Sequence, residues 1–569
     1  MKRATFPSVD PIVAILLLVT GCATAPAARV RKMSLEEKVG QLFVYAARGV
    51  FMNEESPEYR ELERQVRENH VGGVAWFESD VYATAFLNRR LQGLAKTPLL
   101  IAADLETGLG MRFDDTTDWP WPMAVGATGD PSLAERQGRI VAEEARALGL
   151  NQIYAPVADV NSNPANPAIN VRSYGEDPQE VARFVAAFVR GVEAEGALAT
   201  AKHFPGHGDT AQDSHLSLPI LDVSRQRLEE VELPPFKAAI AAGVSAVMIA
   251  HVSLPGIDPT ETLPASLSEA AIEGLLRREL GFGGLAVADA LDMEGIAKAY
   301  DPGEAAVLSV LAGADLVLKS PDTDAAIAGV KRAVETRRIS KQRLDRSVER
   351  VLAAKARVTA PLPDDERIFR FVDRPAHRAV AEEIAARSLT LVREAPGALP
   401  LLRERRVVHL VVSDGGSSVG EVVDRGLARG LASPPETFVL DRGSREEDLA
   451  PILEAASRSD TVVLSLFVRF RTGQGHLVLP RWTREVVTRL LAGNAPVIAV
   501  SFGNPYLLSD LPDLPTYVAA YGGQTLTQIA AAKALFGEAP FRGRLPVTIP
   551  GIAARGDGLQ KPAAMERAP

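Results

Sequence analysis

The chain has 569 residues, of which 46% are hydrophobic and 24% charged, and its 63 Lys and Arg residues against 72 Asp and Glu residues leave a net charge of −9. This length exceeds what one hydrophobic core usually supports, so we expect two globular domains. The negative charge and the lack of long basic runs argue against a protein that binds nucleic acid.

The N-terminal segment has the pattern of a bacterial export signal. Lys2 and Arg3 precede an apolar run over residues 12–19, which is shorter than a membrane-spanning helix requires. A Val-Thr-Gly-Cys segment ending at Cys22 resembles the site that the bacterial lipoprotein signal peptidase cuts. We therefore expect a signal peptide over residues 1–21 and a lipid anchor on Cys22. By this resemblance the anchor lies in the cell envelope, in the outer membrane facing the periplasm.

Two further observations bear on the anchor. Cys22 is the only cysteine of the chain, so it has no partner for an intramolecular disulfide or a cysteine-based metal cluster. A secretory leader with an incidental cysteine is the alternative. Beyond this segment no apolar run reaches the about 18 residues of a membrane span, so we expect no later membrane crossing.

Eight short apolar runs alternate with helical patterns between about residues 38 and 320. Eight strand–helix units over this length predict a (β/α)8 barrel, whose strands are buried on both faces. An open, doubly wound sheet is the alternative on this pattern alone. The runs are Gln41 to Tyr45, Gly72 to Phe77, Leu99 to Asp104, Gln152 to Asp159, Leu198 to His203, Ala246 to His251, Gly284 to Asp289 and Ala314 to Lys319.

Polar residues at the ends of these runs favour the barrel. Barrel enzymes place their catalytic residues at the carboxyl ends of the strands, where polar side chains from several strands meet. We therefore assign residues 22–355 to a (β/α)8 barrel catalytic domain. The polar residues at the ends of six runs are Asp104, Asp159, His203, His251, Asp289 and Lys319.

A second α/β pattern follows the barrel. A linker over residues 356–384 leads to a domain over residues 385–552, which we predict to be an α/β sandwich around a short parallel sheet. Residues 553–569 are rich in Ala, Gly and Pro, and we predict a disordered tail. The basic loop from Arg469 to His476 either reaches the barrel rim or lies on the surface. Strand-like runs of this domain are Ser388 to Val392, Val407 to Val412, Thr461 to Phe467, Val497 to Phe502 and Tyr517 to Tyr521.

Three histidines cluster in the segment from Lys202 to His215. A zinc site is disfavoured, because Pro205 and Gly206 break the helix that would bring His203 and His207 to one face. For His207 we favour a structural role in the turn.

His215 is the better candidate for acid/base chemistry, because Asp213 lies two residues before it. A carboxylate that holds one imidazole nitrogen leaves the other to exchange a proton near neutral pH.

Four motifs carry a resemblance to glycoside hydrolase family 3, of the two-domain β-N-acetylhexosaminidase type. The segment Lys202 to His215 is similar to that branch, in which an Asp-x-His pair serves as acid/base. The segment Ala288 to Met293 is similar to the nucleophile motif. The stretch from Asp104 to Arg112 and the stretch from Arg172 to Pro178 are similar to the sugar-binding motifs, although Thr107-Gly108 replaces the usual Gly-Gly pair.

The resemblance implies a role for each matched residue. Asp289 is the expected nucleophile, His215 the acid/base and Asp213 its partner. Asp292, three residues after Asp289, we expect to cap a helix. The expected sugar-binding residues are Asp104, Arg112, Arg172, Lys202 and His203.

These residues suit a retaining exo-glycosidase that removes terminal β-linked N-acetylglucosamine through a glycosyl-Asp intermediate. We expect peptidoglycan or chitin fragments as substrate, with no cofactor, no metal and no nucleic-acid partner. A β-glucosidase of the same family is the alternative within this fold. An N-acetylglucosaminide phosphorylase and a wall-binding lipoprotein without activity are the remaining alternatives.

Overall fold

A computed structural model describes residues 26–214, 216–258, 260, 263–358, 362–415, 419–468 and 479–564. Cys22, His215 and the loop from Arg469 to His476 lie outside these residues, so what we predict for them stays a prediction. Among the helices that are described, none is both long and apolar enough to cross a bilayer.

Eight parallel strands close into a barrel, as the sequence predicts. Each strand pairs with the next along the chain, and β8 returns to pair with β1. Strands buried on both faces read as continuous apolar runs, which is why the sequence identified all eight. The strands are β1 Phe43–Arg48, β2 Gly73–Phe77, β3 Leu100–Ala103, β4 Gln152–Ile153, β5 Leu198–Phe204, β6 Ala246–Ile249, β7 Leu285–Ala288 and β8 Leu316–Leu318.

Helices surround this barrel. A helical turn at Arg225–Arg227 and a π-helix at Leu228–Glu232 run into α7, and a second π-helix, Ala270–Glu279, lies between β6 and β7. The helices are α1 Leu35–Gly40, α2 Pro57–Arg67, α3 Val81–Leu94, α4 Pro122–Ala127, α5 Pro131–Ala147, α6 Pro178–Ala194, α7 Leu233–Ala241, α8 Glu294–Ala297, α9 Pro302–Ala312, α10 Thr323–Glu335 and α11 Lys341–Arg357.

Aspartate–proline pairs begin the helices that follow several strands. Asp130 and Asp177 accept backbone N–H groups at the starts of α5 and α6, and each is followed by a proline in the first turn. Proline has the φ angle of a helix and needs no hydrogen-bond acceptor there, so these pairs fix where the loops of the barrel rim end. At the other end of the barrel, Val351 and Ala354 of α11 pack into the barrel core.

The second domain contains a six-stranded sheet of order β11-β10-β12-β13-β14-β9. Strand β9 pairs antiparallel with β14, whereas the other pairs are parallel, so the sheet is mixed rather than parallel throughout. The predicted α/β class is confirmed, but the sequence missed β11 at the edge. The strands are β9 Thr390–Arg393, β10 Val407–Ser413, β11 Glu436–Leu440, β12 Thr461–Phe467, β13 Val497–Ser501 and β14 Thr516–Ala519.

Helices cover both faces of this sheet and link it to the barrel. Linker helices α12 and α13 precede β9, and α14 to α18 lie between or after the strands. Their bounds are α12 Asp365–Phe371, α13 Pro375–Ser388, α14 Glu421–Gly430, α15 Leu449–Arg458, α16 Thr483–Leu491, α17 Leu507–Asp510 and α18 Thr525–Leu535.

The two domains share a core. Met123, Ala124 and Ala127 of α4, together with Val171, are buried in the hydrophobic cluster of the second domain. Polar contacts join the same region, because the Glu176 carboxylate accepts the backbone N–H of Thr548 at 2.7 Å and its hydroxyl at 2.6 Å. The barrel loops after β3 and β4 are therefore held by the second domain.

The C-terminal segment pairs with the second domain. The N–H groups of Leu559 and Lys561 donate to the carbonyls of Leu391 and Phe541, at 2.8 and 3.1 Å. Residues 553–564, where we expected a disordered tail, thus extend the sheet region beyond residue 552.

Candidate active site

A cavity of about 650 Å³ opens at the carboxyl ends of the barrel strands. It brings together six of the predicted site residues, which come from the ends of four strands or the loops after them: Asp104, Arg112, Arg172, Lys202, His203 and Asp289. Ser214, next to Asp213, also lines it. Convergence of charged side chains in one cavity at this end of a barrel is typical of an active site.

Asp104 lies between two cations on the cavity floor. Its Oδ1 accepts from Lys202 Nζ at 2.6 Å and its Oδ2 from Arg112 Nη2 at 2.6 Å. Burial acts to raise the pKa of Asp104, but the charges of Lys202 and Arg112 outweigh it and hold the pKa below the ordinary value. The ionised carboxylate keeps further lone pairs for other donors, so it can accept sugar hydroxyls.

Glu106, which the sequence analysis did not assign to the site, contacts two cations, Arg172 and Lys202. Its carboxylate accepts both Arg172 Nε, at 2.9 Å, and Arg172 Nη2, at 2.7 Å, and lies 2.8 Å from Lys202 Nζ. Burial acts against ionisation of Glu106, but Arg172 and Lys202 lower its pKa below the usual range. A bidentate carboxylate–guanidinium pair sets both position and plane of the arginine, so Glu106 orients Arg172.

A second buried carboxylate, Asp159, orients the histidine segment. Its Oδ2 lies 2.7 Å from His203 Nδ1, and its Oδ1 accepts the backbone N–H of His207 at 2.7 Å. The other ring nitrogen of His203 lies 3.3 Å from Arg172 Nη2. The Asp159 carboxylate thus fixes the ring of His203 in the cavity.

His207 has the structural role that we expected. Its Nδ1 lies 2.7 Å from Thr210 Oγ1 and its Nε2 lies 2.9 Å from Ser214 Oγ. Burial lowers the pKa of His207 to about 4, so the ring is neutral near pH 7. These contacts brace the loop that leads from β5 to the predicted acid/base.

Asp213 is buried in this loop. Its carbonyl accepts the N–H groups of Leu216 and Ser217 at 2.9 and 3.2 Å. The geometry of the predicted Asp213–His215 pair itself lies outside the described residues.

Asp289 follows β7 directly. Its N–H donates to the Ile249 carbonyl of β6 at 3.1 Å, so the strand ladder fixes its backbone. Its Oδ1 accepts the N–H of Ala290 at 2.8 Å, and the side chain lines the cavity. Asp289 thus presents a carboxylate to the cavity at the end of a strand, beside the buried cations and carboxylates described above.

Two family profiles cover the chain. That of the glycosyl hydrolase family 3 N-terminal domain matches residues 34–354, and that of the family 3 C-terminal domain matches residues 294–564. The chain belongs to glycosyl hydrolase family 3. It is a glycoside hydrolase.

Relatives of this family 3 enzyme are named as β-N-acetylglucosaminidases, β-glucosidases or a β-glucoside phosphorylase. A β-N-acetylglucosaminidase/β-glucosidase of Cellulomonas fimi is 34% identical over 538 residues, which cover 91% of this chain and 94% of the relative. The solved family 3 β-N-acetylglucosaminidase from Paenibacillus sp. str. FPU-7 is 36% identical, with a TM-score of 0.79 over 91% of this chain and 99% of that one. A solved β-glucoside phosphorylase is 28% identical, with a TM-score of 0.83 over 93% of this chain and 97% of that one.

The family 3 enzyme departs from its family's Gly-Gly pair at Thr107, but it keeps the glycine that the turn requires. Gly108 has a φ of 69°, and a Cβ there would lie 2.3 Å from Trp119 Cδ1. The Thr107 carbonyl accepts the N–H of Trp119 at 3.1 Å. The loop that presents Arg112 therefore depends on the second position of the pair.

The structure contradicts our expectation that Asp292 caps a helix. No side chain caps α8, whose N-cap residue is Met293, so Asp292 is not a helix cap. It lines the cavity and lies 2.9 Å from Lys319 Nζ. Lys319 and Arg112 also approach the Phe77 ring, at 4.7 and 4.9 Å from its centroid. The family 3 enzyme thus has an ion pair on the β7–β8 side of the cavity that the motif alone did not reveal.

The described part of the family 3 enzyme contains no group of three or more His, Cys, Asp or Glu side chains arranged to hold a metal ion. His203 and His207 instead have the protein partners given above. The cavity therefore offers fixed charges, carboxylate oxygens and hydrogen-bond donors.

Proposed function

We propose that the chain is a retaining exo-β-N-acetylhexosaminidase that releases terminal N-acetylglucosamine. The observation that carries the proposal is the cavity in which Asp289 lies with Asp104, Arg172 and Lys202, next to the loop of Asp213. The C. fimi and Paenibacillus relatives, both named as β-N-acetylglucosaminidases, support the choice of sugar.

In this proposal Asp289 attacks the anomeric carbon while His215 protonates the leaving oxygen. The C–O bond of the glycoside breaks, a glycosyl-Asp289 ester forms, and the leaving alcohol takes the proton. Water then attacks the anomeric carbon of this ester, His215 accepts its proton, the Asp289 carboxylate leaves, and the sugar is released with its β configuration retained. Asp104, Arg172 and Lys202 hold the sugar hydroxyls and the acetamido oxygen, which aligns the reacting atoms.

The test compares hydrolysis of an aryl β-N-acetylglucosaminide with that of the aryl β-glucoside. We expect a higher kcat/KM for the N-acetylated substrate, and we expect Asp289→Asn to lower turnover by several orders of magnitude with the fold intact. Preference for the glucoside would make the chain a β-glucosidase. High residual activity in Asp289→Asn would assign the nucleophile to another carboxylate.

A phosphorylase is the second candidate, because one similar solved structure is named a β-glucoside phosphorylase. A neutral imidazole at position 215 repels an incoming phosphate less than a carboxylate would. Phosphate would then replace water in attack on the glycosyl-enzyme and yield a sugar 1-phosphate. Formation of that product in proportion to phosphate concentration would favour this candidate over a hydrolase.

We propose further that the chain is anchored to the bacterial envelope through a lipid on Cys22, and that its substrates are peptidoglycan or chitin fragments. The anchor is supported by the Val-Thr-Gly-Cys segment, which resembles the site that the lipoprotein signal peptidase cuts, and by the unique cysteine.

A further inference from the structure

Two tryptophans occupy contrasting places in the β3–α4 loop. Trp119 is completely buried under the turn at Gly108. Trp121, two residues on, is half-buried and lines the cavity. A large flat side chain that is left at a cavity wall is available to a ligand, whereas Trp119 is part of the core.

Trp121 is held rigidly from both domains. Prolines flank it on either side, at positions 120 and 122, and its own residue is the N-cap of α4. Proline restricts both its own φ angle and the residue before it, so the backbone at Trp121 has little freedom. From the second domain, Gly522 approaches so closely that an added Cβ would lie 2.8 Å from Trp121 Cδ1.

The position of Trp121 differs from that of the charged residues. Lys202 and Asp289 lie in or directly after barrel strands, and Glu106 and Arg172 are nearly fully buried below the cavity. Trp121 comes from the far end of its loop, against the second domain. The charged floor suits the hydroxyls of one sugar, and the indole offers an apolar surface at the wall instead.

We propose that Trp121 is a stacking platform for the sugar ring on the leaving-group side of the scissile bond, and that the second domain sets its position through Gly522. The inference rests on the proposed function, because it assigns the floor to the sugar that is released. Pyranose rings have apolar C–H faces, and the flat face of an indole buries them without losing hydrogen bonds. Since Trp121 is fixed before binding, little ordering cost opposes the contact.

The first test varies the leaving group in Trp121→Ala and Trp121→Phe. Substrates are methyl β-N-acetylglucosaminide, whose leaving group is too small to reach the platform, and N,N′-diacetylchitobiose. For Trp121→Ala we expect about a tenfold rise in KM for the disaccharide, with less than about a twofold change for the methyl glycoside. Trp121→Phe keeps an aromatic face, so it should recover most of the disaccharide affinity. Equal losses on both substrates would overturn the proposal.

The second test leaves the barrel sequence unchanged. Gly522→Ala forces the indole, or the Gln524 side chain that lies 2.1 Å from the same Cβ position, to move. We expect a rise in KM for the disaccharide alone, in the same direction as Trp121→Ala. Gly523→Ala is the matched control, because its Cβ would meet the Phe467 ring at 3.1 Å and not Trp121. Because Gln524 can move instead of the indole, the decisive variant is Gly522→Ala/Gln524→Ala, and a KM equal to that of Gly523→Ala/Gln524→Ala would show that the second domain does not set the platform.

Failure of the proposed function would look different. A wild-type enzyme that prefers glucosides would contradict the choice of sugar, yet the comparison of methyl β-glucoside with cellobiose would still test the Trp121 platform in the same variants.

Discussion

Lys202 is the central cation of the cavity floor, because its ammonium lies 2.6 Å from Asp104 and 2.8 Å from Glu106. Burial acts to lower the pKa of Lys202, but these two carboxylates raise it above its ordinary value. The pKa values of both carboxyls are lowered at the same time. All three groups therefore keep their charges across the neutral range and add no pH dependence there.

The acid/base role that we propose for His215 predicts that the loss of activity in its variants depends on the leaving group. An acid that protonates the leaving oxygen matters little when the leaving group is already acidic, so His215→Ala should slow N,N′-diacetylchitobiose far more than aryl substrates with acidic phenols. Asp213→Ala should cause a smaller loss in the same direction, because the imidazole remains. Steady-state kinetics over a series of phenols measures the effect. Equal losses on all substrates would place the acid/base elsewhere.

Glu232 predicts a pH dependence of stability. It lies behind the turn at Gly206, with Arg227 Nη2 at 3.2 Å, and burial raises its pKa to about 7 against the charge of Arg227. The Glu232 carboxyl thus binds its proton more tightly in the folded chain than in the unfolded chain. The free energy of unfolding therefore falls as the pH rises from about 4.5 to 7 and Glu232 ionises.

The Glu232→Gln variant lacks the ionisable group and so should not lose stability through it as the pH rises. The fall in melting temperature between about pH 5 and pH 8 should be smaller in this variant than in the wild type. Glu230→Gln, at an exposed neighbour, is the control and should keep the wild-type fall. Parallel curves for wild type and Glu232→Gln would mean that Glu232 titrates as in the unfolded chain.

The sequence analysis found the site residues that lie in motifs, and it missed cavity residues whose position depends on tertiary contacts. Lys202 lies in β5 and Asp289 follows β7, and a polar residue at the end of an apolar run is visible in the sequence. Trp121 and Asp292 reach the cavity only because distant segments position them, and a tryptophan between prolines reads equally well as core. Glu106 lies within a motif that the sequence analysis singled out, but its ion pair with Arg172 joins residues 66 positions apart and is not visible in the sequence.

At the scale of elements, one buried carboxylate joins the last strand to two outer helices. Asp315, just before β8, is fully buried, with its Oδ2 at 2.5 Å from Arg277 Nη2 on the π-helix Ala270–Glu279. Its Oδ1 accepts the Ser347 hydroxyl of α11 at 2.6 Å and lies 3.1 Å from Arg350 Nη1.

Asp315→Ala should therefore destabilise the fold by about 3–5 kcal/mol, because it leaves arginines buried without their counter-charge. Urea denaturation measures the change. The control is Glu304→Ala, which breaks the exposed Glu304–Arg338 pair and should cost at most about 1 kcal/mol. Similar losses in both variants would mean that burial does not strengthen the Asp315 cluster.

The elements that the sequence predicted well are those buried on both sides. All eight barrel strands and five strands of the second sheet left continuous apolar runs. Strand β11 was missed because it lies at the sheet edge, where Glu436 and Thr437 are exposed and break the apolar run. The pairing of Leu559 with Leu391 of β9, and of Lys561 with Phe541, was equally invisible, because these contacts are backbone hydrogen bonds that leave no apolar run.

At the scale of the whole molecule, the proposed anchor decides where the enzyme works. Cys22→Ser should leave the protein unprocessed or released from the membrane fraction, because an acyl chain contributes about 0.8 kcal/mol per buried CH₂. Labelling with a radioactive fatty acid, followed by fractionation, measures both effects. No other cysteine can take the label. Native protein found free in the periplasm would contradict the anchor.

The two sides of the core that the domains share are synthesised at different times. Met123, Ala127 and Val171 leave the ribosome well before strands β10 to β14, which cover them. At about 5–20 residues per second, the roughly 350 residues between Val171 and the end of the covering sheet take on the order of 20 to 70 s to emerge. A barrel that folds before those strands emerge therefore displays an uncovered apolar patch, which makes it prone to aggregation until the rest of the chain arrives.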